Sequence, residues 1–204
     1  MLFLNYATII DPLLRGLRAY AVEFSGIKAG DRVLDVCCGT GDQAFHYARA
    51  GGIVTGIDLD PNMLELAGKD KRRTGSVSFQ LADACYLPFR DNCFDCAAIS
   101  LALHEKEGAA RDKVIMEMKR VVRKGGALIF IDFQAPLARN KLSRLVKVIE
   151  FFAGRNHHRC FRDFIEQGGL AEILKKNQLN EDKRDYCYDR LITIIRTINS
   201  EHPA

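Results

Sequence analysis

The stretch RVLDVCCGTGD at residues 32–42 constrains this chain more than any other. Its first half is a short apolar run that stops at Gly39-Thr40-Gly41. The residues from Gln43 to Ala50 then have helical periodicity and are closed by Gly51-Gly52. Strand, glycine loop and helix in that order form the opening unit of a parallel sheet built through helical crossovers.

The alternation continues along the chain. Residues 53–57 (IVTGI) read as a second strand. Asp60 and Pro61 follow as N-cap and first residue of a helix. Further strands are expected at 76–82 (SVSFQLA), 95–100 (DCAAIS) and 127–133 (ALIFIDF). The last of these follows a helix whose Val114, Ile115, Met118, Val121 and Val122 share one face. Strands so uniformly apolar argue for a sheet covered on both sides. Upstream, Asp11-Pro12 opens an amphipathic helix that Ser25-Gly26 ends. Beyond Pro136 a helix runs through Phe152, its stripe of Leu142, Leu145, Val146, Ile149 and Phe152 expected to pack as core or lid. The basic stretch RNHHRCFRDF and a helix over 170–177 come next. The runs RDYCY and LITIIRTI are separated only by Asp189-Arg190, too short for a crossover, so they pair antiparallel. The expected fold is doubly wound α/β in one domain. Residues 1–30 form an N-terminal helix and lid, 31–135 a ligand-binding core, 136–166 a substrate-side insertion and 167–204 the final helix and hairpin.

In such sheets ligands bind beyond the carboxyl ends of the strands, where strand order reverses. Gly39 and Gly41 suit a tight turn with backbone amides open to a ligand. Asp35 narrows the choice: its carboxylate would repel a pyrophosphate and attract an ammonium. Asp58 ends the second strand about 20 residues after the first loop glycine, the place of a ribose-binding acid. Asp83 follows the third strand within reach of an exocyclic amine. An amino-acid end, a ribose and an aminopurine together describe S-adenosylmethionine. Each acid could instead be only a strand-end cap. Gly39-Thr40-Gly41-Asp42-Gln43-Ala44 also satisfies G-x-G-x-x-A, the signature of a nicotinamide dinucleotide oxidoreductase, against which Asp35 and Asp83 stand.

With VLDVCCGTGD (33–42), GIDLDPNML (56–64), LADACYLPF (81–89), FDCAAISLALHE (94–105) and GGALIFIDF (125–133), the chain resembles the class I S-adenosylmethionine-dependent methyltransferases. Within them it is similar to the small-molecule branch that includes ubiquinone and menaquinone biosynthesis methyltransferases. The resemblance implies a Rossmann-like sheet of seven strands, the last antiparallel, and S-adenosylmethionine as cofactor with S-adenosylhomocysteine as product. It implies Asp35 near the methionine amino group, Cys37, Cys38, Gly39, Thr40 and Gly41 around the methionine, and Asp58 with Leu59 at the ribose. Met63 is implied on the adenine face, Asp83 and Ala84 at its edge, and Ser100 and Leu101 at the methionine end. Tyr6 stands where an N-terminal lid closes. Cys37 replaces the usual small residue, from which an ordinary backbone angle is expected there. Leu101-Ala102-Leu103-His104-Glu105 stands where the quinone enzymes carry a Gly-Ile-Arg-Asn-like stretch. No Asn-Pro-Pro-Tyr-like tetrapeptide follows, so DNA bases are not expected acceptors. A non-catalytic S-adenosylmethionine-binding protein is the alternative.

Outside the cofactor motifs, His104 is either a polar loop residue or a general base over the transferred methyl. Phe152, His157 and His158 are expected on the substrate side, in an insertion that also brings Phe151 towards His104. No metal site is expected: Cys93-x-x-Cys96 has no second pair, and adjacent histidines point apart on a helix. The 30 Lys+Arg against 26 Asp+Glu leave a net charge of +4 with no like-charge run, which marks neither a nucleic-acid nor a membrane partner. No apolar stretch approaches the roughly 20 residues of a membrane span. Seven cysteines and an opening segment without a basic n-region make the cytoplasm the expected location.

Overall fold

The computed structural model describes residues 11–70, 76–152 and 154–200. Seven strands form one sheet: β1 (Arg32–Val36), β2 (Ile53–Asp58), β3 (Val77–Leu81), β4 (Phe94–Ser100), β5 (Val122–Phe133), β6 (Glu181–Cys187) and β7 (Ile192–Ile198). Their order is β3-β2-β1-β4-β5-β7-β6. β7 runs antiparallel to both neighbours, and β1 to β5 are mutually parallel. The doubly wound sheet with a C-terminal hairpin is therefore present. The chain winds outward from β1 to β3 and returns to β4 on the other side of β1. The carboxyl ends of β1 and β4 thus flank the switch point where a crevice must open.

Among the described residues seven helices cover the sheet: α1 (Asp11–Ser25), α2 (Asp42–Arg49), α3 (Pro61–Lys69), α4 (Gly108–Val121), α5 (Lys141–Phe152), α6 (Arg155–Glu166) and α7 (Gly169–Lys176). Right-handed crossovers place helices wound to the left and to the right of β1 on opposite faces. Accordingly α1 packs with α2, while α6 joins α4 and α7. The central strands bury nearly every residue between these layers: Val33, Leu34 and Val36 on β1, Cys96 to Ile99 on β4, and Leu128 to Ile131 on β5. The edges differ. β6 exposes its Glu-Asp-Lys-Arg-Asp run, charges that discourage another chain from adding to the sheet.

Local chemistry accounts for the element ends. Asp60 caps α3 by accepting the Asn62 N–H at 2.8 Å, with Pro61 at the first helical position. Gly41 precedes α2 in the left-handed region (φ 75°), and a Cβ there would stand 2.4 Å from the Phe79 ring. The hairpin turn is longer than the two residues expected. Tyr188, Asp189 and Arg190 all take positive φ, and β7 begins only at Ile192.

The apolar stripe of α5 is buried only in part: Val146 faces inwards and Leu142 packs against the core, while Leu145 and Ile149 are 54% and 44% exposed. Ser143 and Glu150 also face inwards, and the Glu150 carboxylate meets His157 of α6 at 2.5 Å. RNHHRCFRDF is itself helical, burying Cys160, Phe161 and Phe164.

Arg111 of α4 ties this side together, although it is almost wholly buried. Its Nε donates to the Leu103 carbonyl at 3.0 Å, its Nη2 donates to the Cys160 carbonyl at 2.9 Å, and its Nη1 lies 2.8 Å from Asp163. Replacing it strands two buried carbonyls. Arg111→Leu is expected to lower unfolding stability by roughly 2–4 kcal/mol in urea titrations. A loss below about 1 kcal/mol would show that the loop after β4 is held by other contacts.

Candidate functional site

The carboxyl ends of β1 to β4 converge on a cavity of about 320 Å³. Its wall takes Asp35, Cys37, Cys38, Gly39 and Thr40 from β1 and its loop, and Asp58 and Leu59 from the end of β2. Met63 of α3, Asp83 and Ala84 after β3, and Ser100 and Leu101 at the end of β4 complete the part anticipated from sequence. Gly41 shapes the loop without lining the cavity. Tyr6 lies outside the described residues, as does the side chain of Phe152.

The loop is bound tightly to the protein rather than open to a ligand through its amides. Cys38 N–H donates to the Ile57 carbonyl at 2.8 Å, Gly39 N–H to Asp58 Oδ2 at 2.8 Å, and Gly41 N–H to the Cys38 carbonyl at 2.9 Å. These three donors are spent within the protein and are not offered to a pyrophosphate. The ordinary backbone angle expected at Cys37 is also not what is found: Cys37 takes φ 55°, in the left-handed region. A non-glycine residue there costs about 1–2 kcal/mol. The loop turns twice more through positive φ at Gly39 and Gly41, and Cys37 begins that turn with its thiol beside the Lys106 ammonium. Burial pushes the thiol up to about 11, so it stays protonated near neutral pH.

Asp35 dominates the electrostatics. Its carboxylate is buried, receives a backbone N–H from Ala44, and leaves Oδ2 with no hydrogen-bond partner among the described residues. Burial raises its pKa to about 7; Arg18 lowers it and Asp58 raises it further. Arg18 is ion-paired with Asp42 at 2.5 Å. The Asp58 carboxylate accepts two backbone N–H groups, from Gly39 at 2.8 Å and Asp60 at 2.9 Å. Asp58 is thus a strand-end cap and a cavity residue at once. Exposed Asp83 accepts the Cys85 N–H at 2.8 Å.

Five polar cavity residues escaped sequence reasoning as site residues: Arg18, Gln43, Asp60, Glu105 and Lys106. Arg18 comes from α1, far from the loop in sequence, and no local pattern marks it. Glu105 and Lys106 adjoin His104 and differ from it only in where the loop after β4 turns them.

His104 does not line the cavity. It is buried beneath the loop after β4, its ring 4.8 Å from that of Phe133 and 5.9 Å from that of Phe161. Its Nδ1 lies 2.6 Å from Asp132 Oδ1, and Asp132 Oδ2 accepts the Leu103 and His104 N–H groups. Burial would lower the His104 pKa, but the Asp132 carboxylate, with Glu105 and Glu150, raises it overall. His157 reaches this group, with ring centroids 5.7 Å apart, as the insertion was expected to do. His158 turns the other way onto exposed Phe151, since adjacent helical residues point apart.

Comparison with known proteins agrees with this geometry. Residues 34–130 match the family model described as "Methyltransferase domain". The chain is similar to the ubiquinone/menaquinone biosynthesis C-methyltransferase UbiE of Pseudomonas aeruginosa (strain LESB58), 36% identical over 140 residues, 66% of this chain and 54% of that protein. The Pseudomonas putida enzyme of the same name is 37% identical over 148 residues, 68% of this chain and 56% of that protein. The chain therefore spans about half the length of these curated relatives. Among solved structures it is similar to a Methanosarcina mazei S-adenosylmethionine-dependent methyltransferase, with TM-score 0.67 and 21% identity over 89% of this chain and 98% of that one. It is similar too to Haemonchus contortus phosphoethanolamine N-methyltransferase 2 in complex with S-adenosylmethionine, with TM-score 0.68 and 17% identity over 91% of this chain and 53% of that one. Among the described residues no helix is long and apolar enough to cross a membrane. Motif order, cavity and sheet topology over residues 34–130 match those of the class I S-adenosylmethionine-dependent methyltransferases.

Proposed function

We propose that the chain transfers a methyl group from S-adenosylmethionine to a small-molecule acceptor that enters over the loop after β4. The observation that carries this reading is Oδ2 of Asp35, without a hydrogen-bond partner among the described residues, in the wall of a cavity whose loop has spent three of its amides within the protein. A ligand ammonium supplies the donor that this oxygen lacks, and a pyrophosphate would meet a carboxylate instead. Asp58 keeps lone pairs for ribose hydroxyls beyond its two backbone bonds, and Asp83 is placed for the adenine edge. The cofactor supplies an activated methyl on a sulfonium, so the chain's residues need only hold, align and dehydrate the reacting groups for in-line displacement.

The acceptor end of the cavity is lined by Leu101, Ala102, Glu105 and Lys106. Its mixture of apolar and charged groups suits a flat, partly apolar molecule, and the similarity to UbiE supports a quinol-type ring. His104, being buried behind this wall, is not assigned the role of base. In a radiolabelled methyl-transfer assay with phenolic, quinol, amine and thiol acceptors, turnover is expected with ring acceptors bearing a hydroxyl. Cofactor binding without transfer to any of them would favour a non-catalytic binding protein.

Asp35 gives this reading a pH signature. Below its pKa of about 7 the carboxylate takes up a proton and loses its attraction for an ammonium. Calorimetric affinity for S-adenosylhomocysteine is therefore expected to fall as pH drops from 8 to 6, approaching about tenfold per pH unit at the lower end. Asp35→Asn should bind weakly with a flat profile, and a flat profile in the parent protein would contradict the assignment. The sign for stability follows. A carboxyl whose folded pKa lies above its unfolded one favours the folded state at low pH, and that advantage is lost as pH rises from about 4 to 7. Ligand-free Asp35→Asn is thus expected to exceed the parent at pH 8 by roughly 2–4 kcal/mol in thermal or urea unfolding.

Asp58→Ala removes two internal hydrogen bonds as well as the ribose contact. It should lower S-adenosylhomocysteine affinity by roughly 1.5–3 kcal/mol and ligand-free stability by about 1–2 kcal/mol. Unchanged affinity would leave Asp58 a cap alone.

A further inference from the structure

We propose that His104, His157, Glu150 and Glu105 form a binding site for one divalent first-row transition-metal ion, with zinc the best-matched, next to the acceptor end of the cavity. The candidate ligand atoms of His104, Glu105 and His157 all lie within 4.8 Å of one another. Nε2 of His104 stands 3.8 Å from Glu105 Oε1 and 3.9 Å from Glu150 Oε1. Both separations are too long for hydrogen bonds. They are close to the about 3.4 Å between neighbouring ligands of a tetrahedral ion with 2.0–2.1 Å bonds.

The surroundings prepare these atoms as ligands. His104 donates Nδ1–H to buried Asp132 at 2.6 Å, which fixes the ring and turns Nε2 towards the two glutamates. A carboxylate holding the far nitrogen of an imidazole is the usual support of a metal-bound histidine. Asp132 is itself held by the Leu103, His104 and Phe133 N–H groups, so the support is rigid. Glu150, 6% exposed, adds a carboxylate to the group: its Oε2 lies 2.5 Å from His157 Nε2, an ion pair that would have to open for both atoms to ligate one ion.

The donor set names the class of ion. Two imidazoles with one or two carboxylates suit zinc, iron(II), cobalt(II) or manganese(II) better than the oxygen-only sites of magnesium or calcium. The cysteines are not members of the group. Glu105 belongs both to this cluster and to the cavity wall. An ion held here would therefore border the acceptor, where as a Lewis acid it would favour the ionised form of a hydroxyl or thiol. That use rests on the methyl-transfer reading, whereas ion binding does not.

The test uses the full chain, stripped with a chelator and titrated with zinc(II) against a chromophoric competitor and separately with cobalt(II). One equivalent is expected to bind, with cobalt(II) giving d–d absorption and no thiolate charge-transfer band. His157→Ala, at a half-exposed position, should weaken zinc binding at least a hundredfold. Asp132→Asn should weaken it tenfold to a hundredfold. Both variants should keep S-adenosylhomocysteine affinity within about twofold, which certifies the fold and separates this site from the cofactor site. Absence of a stoichiometric ion would overturn the proposal in favour of a network of protonated histidines. Undiminished zinc binding in His157→Ala, or a thiolate band, would also overturn it.

Discussion

The rest of the site depends on a carboxylate buried where the sheet is most tightly packed. Asp35 sits on β1 between β2 and β4, paired in register with Gly56 and Ala98. A charge in such a place is unfavourable unless paired. Here a backbone N–H and nearby Arg18 offset only part of the cost, and burial still raises the pKa to about 7. The fold tolerates this because the carboxylate lies in the wall of a cavity rather than against a packed apolar side chain. In the proposed function the missing partner is the ammonium of the ligand, so a weakness of the ligand-free protein becomes its means of selection.

The two halves of the site are built differently. The cofactor half comes from consecutive strand–loop units and is braced locally, with Asp58 tying the first loop to the second through the Gly39 N–H. The acceptor half is assembled from distant segments. Arg111 of α4 links the loop after β4 to α6, and Asp132 at the end of β5 holds His104. Exposed Leu145, Val148, Ile149 and Phe151 belong to this half, while β1 and β4 have no exposed large apolar residue.

That division also decides what could be read from the sequence. Asp35, the Gly39-Thr40-Gly41 turn, Asp58 and Asp83 were legible because each lies at or just beyond the end of a strand whose period and terminators are local, and topology then brings strand ends together. The Cys37 backbone was not legible, since its positive φ is imposed by the turn through Gly39 and Gly41 and not by any preference of cysteine. Arg18, Glu105 and Lys106 reach the cavity through packing across distant elements. His104 reads from sequence as a polar loop residue or a base, but its partner Asp132 lies 28 residues away, and only the fold joins them. On α5, periodicity identifies the helix and the inward Val146, but not the inward Glu150, whose partner His157 lies on α6.

The central claim is that Asp35 selects an ammonium-bearing ligand. The most direct measurement compares the affinities of S-adenosylhomocysteine and of its analogue lacking only the amino group, in the parent protein and in Asp35→Asn, at pH 8. A charge-assisted hydrogen bond accounts for roughly 1.5–3 kcal/mol. The parent protein should therefore prefer the amine by about tenfold to 150-fold, and Asp35→Asn should show little preference. Equal affinity of the parent protein for the two ligands would contradict the account, as would an undiminished preference in the variant.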